Sequence, residues 1–285
     1  MSGYRTTAPV TWCPGCGNFE ILNSVEAVLA ELLGEGFKRE NFIIVSGVGN
    51  HAKIVDYLDM NSFNSIHGRA IPVAEAIKLA KRDSKVICFA GDGDTYAEGL
   101  EHLIFAAKRN AGIVVILHNN RTYGLATGQF TPTSQRTYKG GTMPYGSPEN
   151  PFNPLELLLS AGATFIGRGY PVRKDHFRKL LKDAILHEGF SFIDVLQVCV
   201  TYNNLYSAYN EHVTEIEVKD PADIEEARKV IRSWDYLSTD VPIAIGKFYE
   251  TDKPGYEEGF IKFTDNELEE EGRSEKIKHL IRELI

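Results

Sequence analysis

One stretch constrains this chain more than any other: AGDGDTYAEGLEHLIFAAKRNAGIVVILHNNRTYGLATG, from Ala90 to Gly128. Gly91-Asp92-Gly93-Asp94 follows the apolar run Val86–Ala90, and Asn119-Asn120 follows a second run, Ile113–Leu117. Both runs are short, continuously apolar and rich in β-branched residues, which suits strands buried on both faces of a parallel sheet. Between them Leu100, Leu103, Ile104 and Ala107 recur at helical spacing, so the pattern predicts a helix over Tyr96–Arg109. The result is a βαβ unit with a carboxylate ending one strand and a carboxamide ending the next. Open α/β sheets hold their ligands at that edge.

Asp92 and Asn120 offer hard oxygen atoms, the ligands Mg²⁺ takes alongside phosphates and water. Gly91 and Gly93 let backbone N–H groups approach an anion closely, and the start of a helix favours negative charge. The unit therefore reads as a metal-bridged diphosphate site. The competing reading is an ordinary βαβ unit in which Asp and Asn only cap and turn.

A chain of 285 residues, 43% apolar and 25% charged, has the length for a sizeable core, as one α/β domain with a tail or as two small domains. A net charge of −8 argues against nucleic acid or a membrane surface as partner. No run of residues is long and apolar enough to span a bilayer and Met1–Arg5 leads into no apolar signal stretch, so a soluble cytoplasmic protein is expected. Four cysteines are too few for a secreted disulfide scaffold. Cys13 and Cys16, in Cys-Pro-Gly-Cys, suit one iron–sulfur cluster or one zinc; a redox pair or a ligand-free turn are the alternatives.

Further along, Asn18 is placed to cap an amphipathic helix to about Leu33, and Asn41–Ser46 reads as a buried strand ending in Gly47-Val48-Gly49-Asn50-His51. Pro72 suits the first turn of a helix to about Arg82. His67 and Arg69, just before it, are candidate ligands for phosphate or a substrate carboxylate, with a structural ion pair as the alternative for Arg69. The polar loop from Arg121 to about Pro154 is long enough to cover a site or meet a partner. Helix Pro154–Ala161, strand Thr164–Arg168, helix Lys174–His187 and strand Ser191–Leu196 continue the alternation. Cys199 falls just past that last strand, whereas Cys88 lies inside a strand as apolar filling. Beyond Tyr202 the pattern weakens: aromatics are scattered among charges, Ile243–Phe248 reads as an edge strand, and Asn266–Ile285 as a charged helix.

In this order, CPGCGN, SGVG, HGRAIP, AGDGD, NNRTYGLATGQFTPTS and DVLQVC resemble the β subunit of 2-oxoacid:ferredoxin oxidoreductases, over roughly residues 9 to 205. The resemblance implies a doubly wound, mostly parallel α/β sheet binding thiamine diphosphate over 1–205, and a partner-contacting extension over 206–285. It implies CoA-dependent oxidative decarboxylation of a 2-oxoacid, with electrons passed to ferredoxin and the site completed by an α subunit. Asp92, Asn120 and the carbonyl of Thr122 would hold Mg²⁺. Val48, Gly49, Asn50, His51, His67, Gly68, Gly93, Asp94, Gly124 and Leu125 would line the cofactor. His67, Arg69 and Lys53 would act on substrate; a cation at Lys53 favours a second carboxylate, as in 2-oxoglutarate, and a solvated surface lysine is the alternative. Cys13, Cys16 and Cys199 would hold a 4Fe–4S cluster.

One position departs from the family. Where the family has a fourth cysteine, this chain has Asn50. A cluster with a non-cysteine ligand such as His51, a three-iron cluster, or none are then the open outcomes. Two rival functions remain open: half of a non-oxidative thiamine decarboxylase, or a non-catalytic electron-transfer or scaffold subunit.

Overall fold

The computed structural model describes residues 4–141, 143–259, 278, 279 and 282. Among these residues eight strands form one sheet: β1 Phe42–Ser46, β2 Asn61–Asn64, β3 Lys85–Gly91, β4 Ile113–Asn119, β5 Phe165–Gly169, β6 Ser191–Leu196, β7 Val213–Glu215 and β8 Ile243–Glu250. Their order is β2-β1-β3-β4-β6-β5-β8-β7, and every pairing is parallel except β5 with β8. The expected doubly wound α/β class is what forms.

Alternation along the strands divides the core in two. Ile87 and Phe89 of β3 point to one face with Ile116, Ile193 and Val195, covered by helices α1 Asn18–Gly34 and α7 Lys174–Leu186. Val86 and Cys88 point to the other with Val115 and Leu117. That face is covered by α3 Ala70–Ala80, α5 Leu100–Arg109, α6 Pro154–Ala161 and α9 Ile224–Arg232; α2 Ile54–Tyr57, α4 Asp92–Tyr96 and α8 Tyr206–His212 are short. Apolar residues on both faces explain why the strands read as unbroken runs rather than alternating ones. Cys88 is fully buried filling, as its place in the run implies.

After β1 the chain crosses to β2 on one side, and after β3 it crosses to β4 on the other. The loops leaving β1 and β3 therefore diverge and open a crevice at their carboxyl ends, the usual ligand position in such sheets.

Three sequence expectations are corrected. The helix expected over Tyr96–Arg109 is two helices, a short one at Asp92–Tyr96 and α5, broken at Ala97–Gly99. The break lets Gly99 pack directly on Gly68, whose carbonyl would stand 2.7 Å from any β-carbon there. Asn18 does not cap α1; Gly17 does, and the Asn18 carboxamide instead bonds His118 Nδ1 at 2.8 Å. Ile243–Phe248 belongs to an interior strand, β8, held between β5 and the edge strand β7. The scattered aromatics have a use as well: Tyr209, Trp234 and Tyr236 close a third small core with Leu196 and Ile245. The helix expected over Asn266–Ile285 lies almost entirely outside the described residues.

β8 is pinned to the sheet by charge. Glu250 meets His187 Nδ1 at 3.5 Å and Lys247 Nζ at 2.6 Å. The His187 contact, and then Lys247, hold its carboxyl down to about 2 despite partial burial. A depressed folded pKa contributes stability above the unfolded value and loses it as pH falls. Glu250→Gln should thus destabilise at neutral pH, with the difference from wild type shrinking as pH falls from about 4.5 towards about 2. Denaturant titrations at several pH values measure it.

Candidate active site

Three loops at the carboxyl ends of β1, β3 and β4 enclose a cavity of about 280 Å³. The first supplies Val48, Gly49, Asn50 and His51; the second Gly91, Asp92, Gly93 and Asp94; the third Asn120 and Thr122 through Ala126. His67 joins them from the turn before α3. The volume lies at the small end for ligand pockets, enough for a diphosphate group and too little to enclose a whole dinucleotide-sized cofactor. A larger groove of about 520 Å³ lies by β7 and β8, lined by mixed charges such as Lys247 and Asp183, and contains none of the motif residues.

Asp92 is almost fully buried and accepts from Thr131 Oγ1 at 2.6 Å and Thr133 Oγ1 at 3.2 Å. Burial pushes its carboxyl up to about 6, against the pull of those hydroxyls. A buried carboxylate whose charge is opposed by desolvation is one that a cation would stabilise. Asn120 faces the same space, with its Oδ1 accepting from the Thr122 N–H at 3.0 Å. Carboxylate, carboxamide and carbonyl oxygens form a donor set that fits Mg²⁺ chemically. A β-carbon at Gly93 would run into the Tyr123 ring, so any side chain there would have to displace that ring.

Asp94 organises the opposite wall. It accepts from the N–H of Gly68 at 2.7 Å and lies 3.7 Å from His51 Nε2 and 3.9 Å from His67 Nε2. Burial raises its pKa, but the His51 side chain, the Gly68 N–H and His67 outweigh burial and hold it below the usual carboxylate range. Glu98, not foreseen from sequence, accepts from the Tyr123 hydroxyl at 3.0 and 2.9 Å and stands 3.5 Å from His67 Nδ1. Val48 and Leu125 remain exposed, 38% and 66%, at the cavity wall, where an apolar part of a ligand would cover them.

Three expected site residues do not line the cavity, and the first, Gly68, lies behind Asp94, to which it gives its N–H. Arg69 donates to the carbonyls of Gly68 at 3.2 Å and Glu98 at 2.8 Å, fastening the Gly68–Gly99 contact from behind instead of lining the cavity. Lys53 is a partly exposed surface lysine, 3.4 Å from Asp56.

A polar network behind the cavity was invisible in the sequence. The single Thr133 hydroxyl proton is shared between Asp92 and Asn119 Oδ1, the latter 2.8 Å away, and Asn119 Nδ2 donates to Asp194 Oδ1 at 2.9 Å. Asp194 is paired with Arg168 at 3.4 Å, both fully buried, and Tyr236 donates to the same carboxylate. Arg168→Met should cost about 3–5 kcal/mol, because Asp194 is left as an uncompensated buried charge. Denaturant unfolding of the purified protein is the measurement.

The cysteines form a second cluster beside the cavity. Gln197 Nε2 donates to Cys16 Sγ at 3.5 Å and Thr201 Oγ1 to Cys13 Sγ at 3.4 Å. Burial, with the nearby Cys199 and Cys13, pushes the Cys16 thiol up to about 11. Donors aimed at two of these sulfurs, with the third thiol nearby, fit an iron–sulfur centre. Among the described residues no group of three or more His, Cys, Asp or Glu converges on a single ion. A cluster differs in placing each thiolate on a separate iron. Asn203 ties the two regions, donating from Nδ2 to the carbonyl of Asn120 at 3.0 Å and from its N–H to the carbonyl of Cys199 at 3.0 Å.

Comparison with known proteins identifies the family. Residues 47–195 match the family model described as thiamine pyrophosphate enzyme, C-terminal TPP binding domain. Residues 199–265 match the model for the C-terminal part of the pyruvate ferredoxin oxidoreductase beta subunit. The chain is 37% identical over 270 residues to 2-oxoacid:ferredoxin oxidoreductase 1, subunit beta, of Aeropyrum pernix, covering 90% of this chain and 83% of the relative. It is 39% identical over 261 residues to the 2-oxoacid:ferredoxin oxidoreductase subunit beta of a Sulfolobus species, covering 87% and 84%. Among solved structures, the 2-oxoglutarate:ferredoxin oxidoreductase from Magnetococcus marinus, with 2-oxoglutarate, coenzyme A and succinyl-CoA bound, superimposes with a TM-score of 0.87 at 32% identity, covering 97% of this chain and 94% of that one.

Proposed function

The chain belongs to the family of 2-oxoacid:ferredoxin oxidoreductase β subunits, and we propose that its β1–β3–β4 cavity is the diphosphate half of a thiamine diphosphate site. The protein works in the CoA-dependent oxidative decarboxylation of a 2-oxoacid to an acyl-CoA and CO₂, with electrons delivered to ferredoxin. The observation that carries the site assignment is the meeting of Asp92, Asn120 and Thr122 with the glycine turns in one cavity.

Bound thiamine diphosphate supplies the nucleophilic carbon and the electron sink. The chain's own residues anchor and orient. Asp92, Asn120 and the carbonyl of Thr122 would hold Mg²⁺, while Thr131 and Thr133 fix the Asp92 carboxylate. Gly93 and Gly124 keep the backbone close, and Val48 and Leu125 cover the apolar part. His67, held by Glu98, is the side chain of this chain best placed to meet substrate. Cys13, Cys16 and Cys199 carry an iron–sulfur cluster within the same polypeptide, next to the loop that holds Asn120.

The cavity is half a site, so an α subunit must supply the rest. The purified chain alone should show no turnover of pyruvate or 2-oxoglutarate with a redox acceptor, and addition of the α subunit should restore it. Turnover by the chain alone would refute the division of the site.

A further inference from the structure

Cys13, Cys16 and Cys199 leave one corner of a cluster without a thiol, and the geometry points to the Asn50 carboxamide as the group that fills it. The inference rests on reading those three thiols as ligands of one cluster.

Asn50 is tied to the cysteine turn from one side. The indole of Trp12, the residue before Cys13, donates to the Asn50 carbonyl at 2.7 Å. Trp12 is itself buried, edge-on to Phe19 and Tyr57 at 5.5 and 4.9 Å. From the other side Gly124 measures the gap to the third thiol. A β-carbon at Gly124 would stand 3.6 Å from Asn50 Nδ2 and 3.8 Å from Cys199 Sγ. The Asn50 amide and the Cys199 thiol thus face one small space, which glycine keeps open.

His51, the other non-thiol candidate, is engaged elsewhere. Its ring is wedged between Gly49 and Gly91, where added β-carbons would stand 2.9 Å away. Its Nε2 is 3.7 Å from Asp94 Oδ2, on the cofactor side, and the ring packs 5.5 Å from that of His118. Turning it towards the cysteines would strip Asp94 of one of its two histidine partners. Asn50 needs no such rearrangement: half a turn of its amide exchanges nitrogen for oxygen, and the oxygen is the atom able to bind iron.

Three thiolates and one neutral oxygen donor leave the centre one unit less negative than four thiolates would. Adding an electron then meets less repulsion, and the potential is higher, as when histidine replaces cysteine on a cluster. A carbonyl oxygen is also a harder and weaker partner for cluster iron than a thiolate, so that iron is the one most easily lost.

The test uses the anaerobically purified complex with its partner subunits. Iron, acid-labile sulfide, the electron paramagnetic resonance spectrum of the reduced protein and the midpoint potential are measured for wild type, Asn50→Cys, Asn50→Ala and Cys16→Ser. Clusters elsewhere in the complex cancel in the differences. Asn50→Cys is expected to keep its iron with a lower potential and a changed spectrum. Asn50→Ala is expected to lose about one iron per chain, and Cys16→Ser the whole centre. If both Asn50 variants match wild type while Cys16→Ser loses iron, Asn50 is not a ligand and the cluster reading stands. If Cys16→Ser keeps the iron of wild type, the cluster reading fails and this inference with it.

Discussion

Asp92→Ala is expected to cut turnover of a 2-oxoacid by the assembled complex at least about 100-fold. Loss of the groups that merely support a metal's ligands costs about 10–100-fold, and Asp92 is assigned as a ligand itself. It is also the only carboxylate in the proposed Mg²⁺ set, so the alanine variant leaves the diphosphate facing neutral oxygens alone. The fold should survive. Removing a buried carboxyl that burial already pushes up to about 6 relieves a desolvation cost, although Thr131 and Thr133 lose an acceptor. The thermal midpoint of the free chain should therefore change little while activity falls. Asp92→Asn, of the same shape without the charge, separates the two effects: it should restore the hydroxyl contacts and recover little activity.

Cys13→Ser is expected to separate decarboxylation from electron delivery. The exposed Cys13 sits in the turn that also carries Cys16, and Asn203 links the Cys199 carbonyl to that of Asn120. Damage to the thiol cluster should leave thiamine diphosphate affinity near wild type, since no cysteine lines the cavity wall. Ferredoxin reduction should fall to background. The product analysis decides between readings: aldehyde formed at undiminished rate would mean that the cysteines are not needed for decarboxylation and would favour the non-oxidative rival. Loss of acyl-CoA without compensating aldehyde fits an oxidoreductase deprived of its electron path.

The parts of this molecule that were legible in sequence are those in which adjacent residues act together. The runs Val86–Ala90 and Ile113–Leu117 are buried on both faces, so composition alone marks them as strands, and the residues just after each strand must sit at the ligand edge. That is why Val48 to His51, Gly93, Asp94, Asn120, Thr122, Gly124 and Leu125 all line the cavity. Arg69 and Lys53 show the limit. Both stand beside motif residues, but whether a long cation reaches a cavity depends on the carbonyls or carboxylates nearest its tip, and these belong to Glu98 and Asp56.

Longer-range commitments were equally hidden. Thr131 and Thr133 reach back 39 and 41 residues to Asp92, and Tyr236 reaches 42 residues to Asp194. Neither pairing has a local pattern. The break at Ala97–Gly99 was masked because the helical spacing of Leu100, Leu103 and Ala107 continues smoothly beyond it, while its cause, the packing of Gly99 on Gly68, lies in another element. β8 reads as an edge strand in sequence; it is interior only because the three-residue β7, too short to mark itself, lies outside it.

The measurement that bears most directly on the central claim is equilibrium binding of thiamine diphosphate to the purified complex, with Mg²⁺ and with the metal chelated. One saturable site per chain is predicted, its affinity falling at least about 10-fold without Mg²⁺ and no longer responding to the metal in Asp92→Ala. Binding of equal strength with and without Mg²⁺, or unchanged by Asp92→Ala, would contradict the assignment of this cavity as the diphosphate anchor.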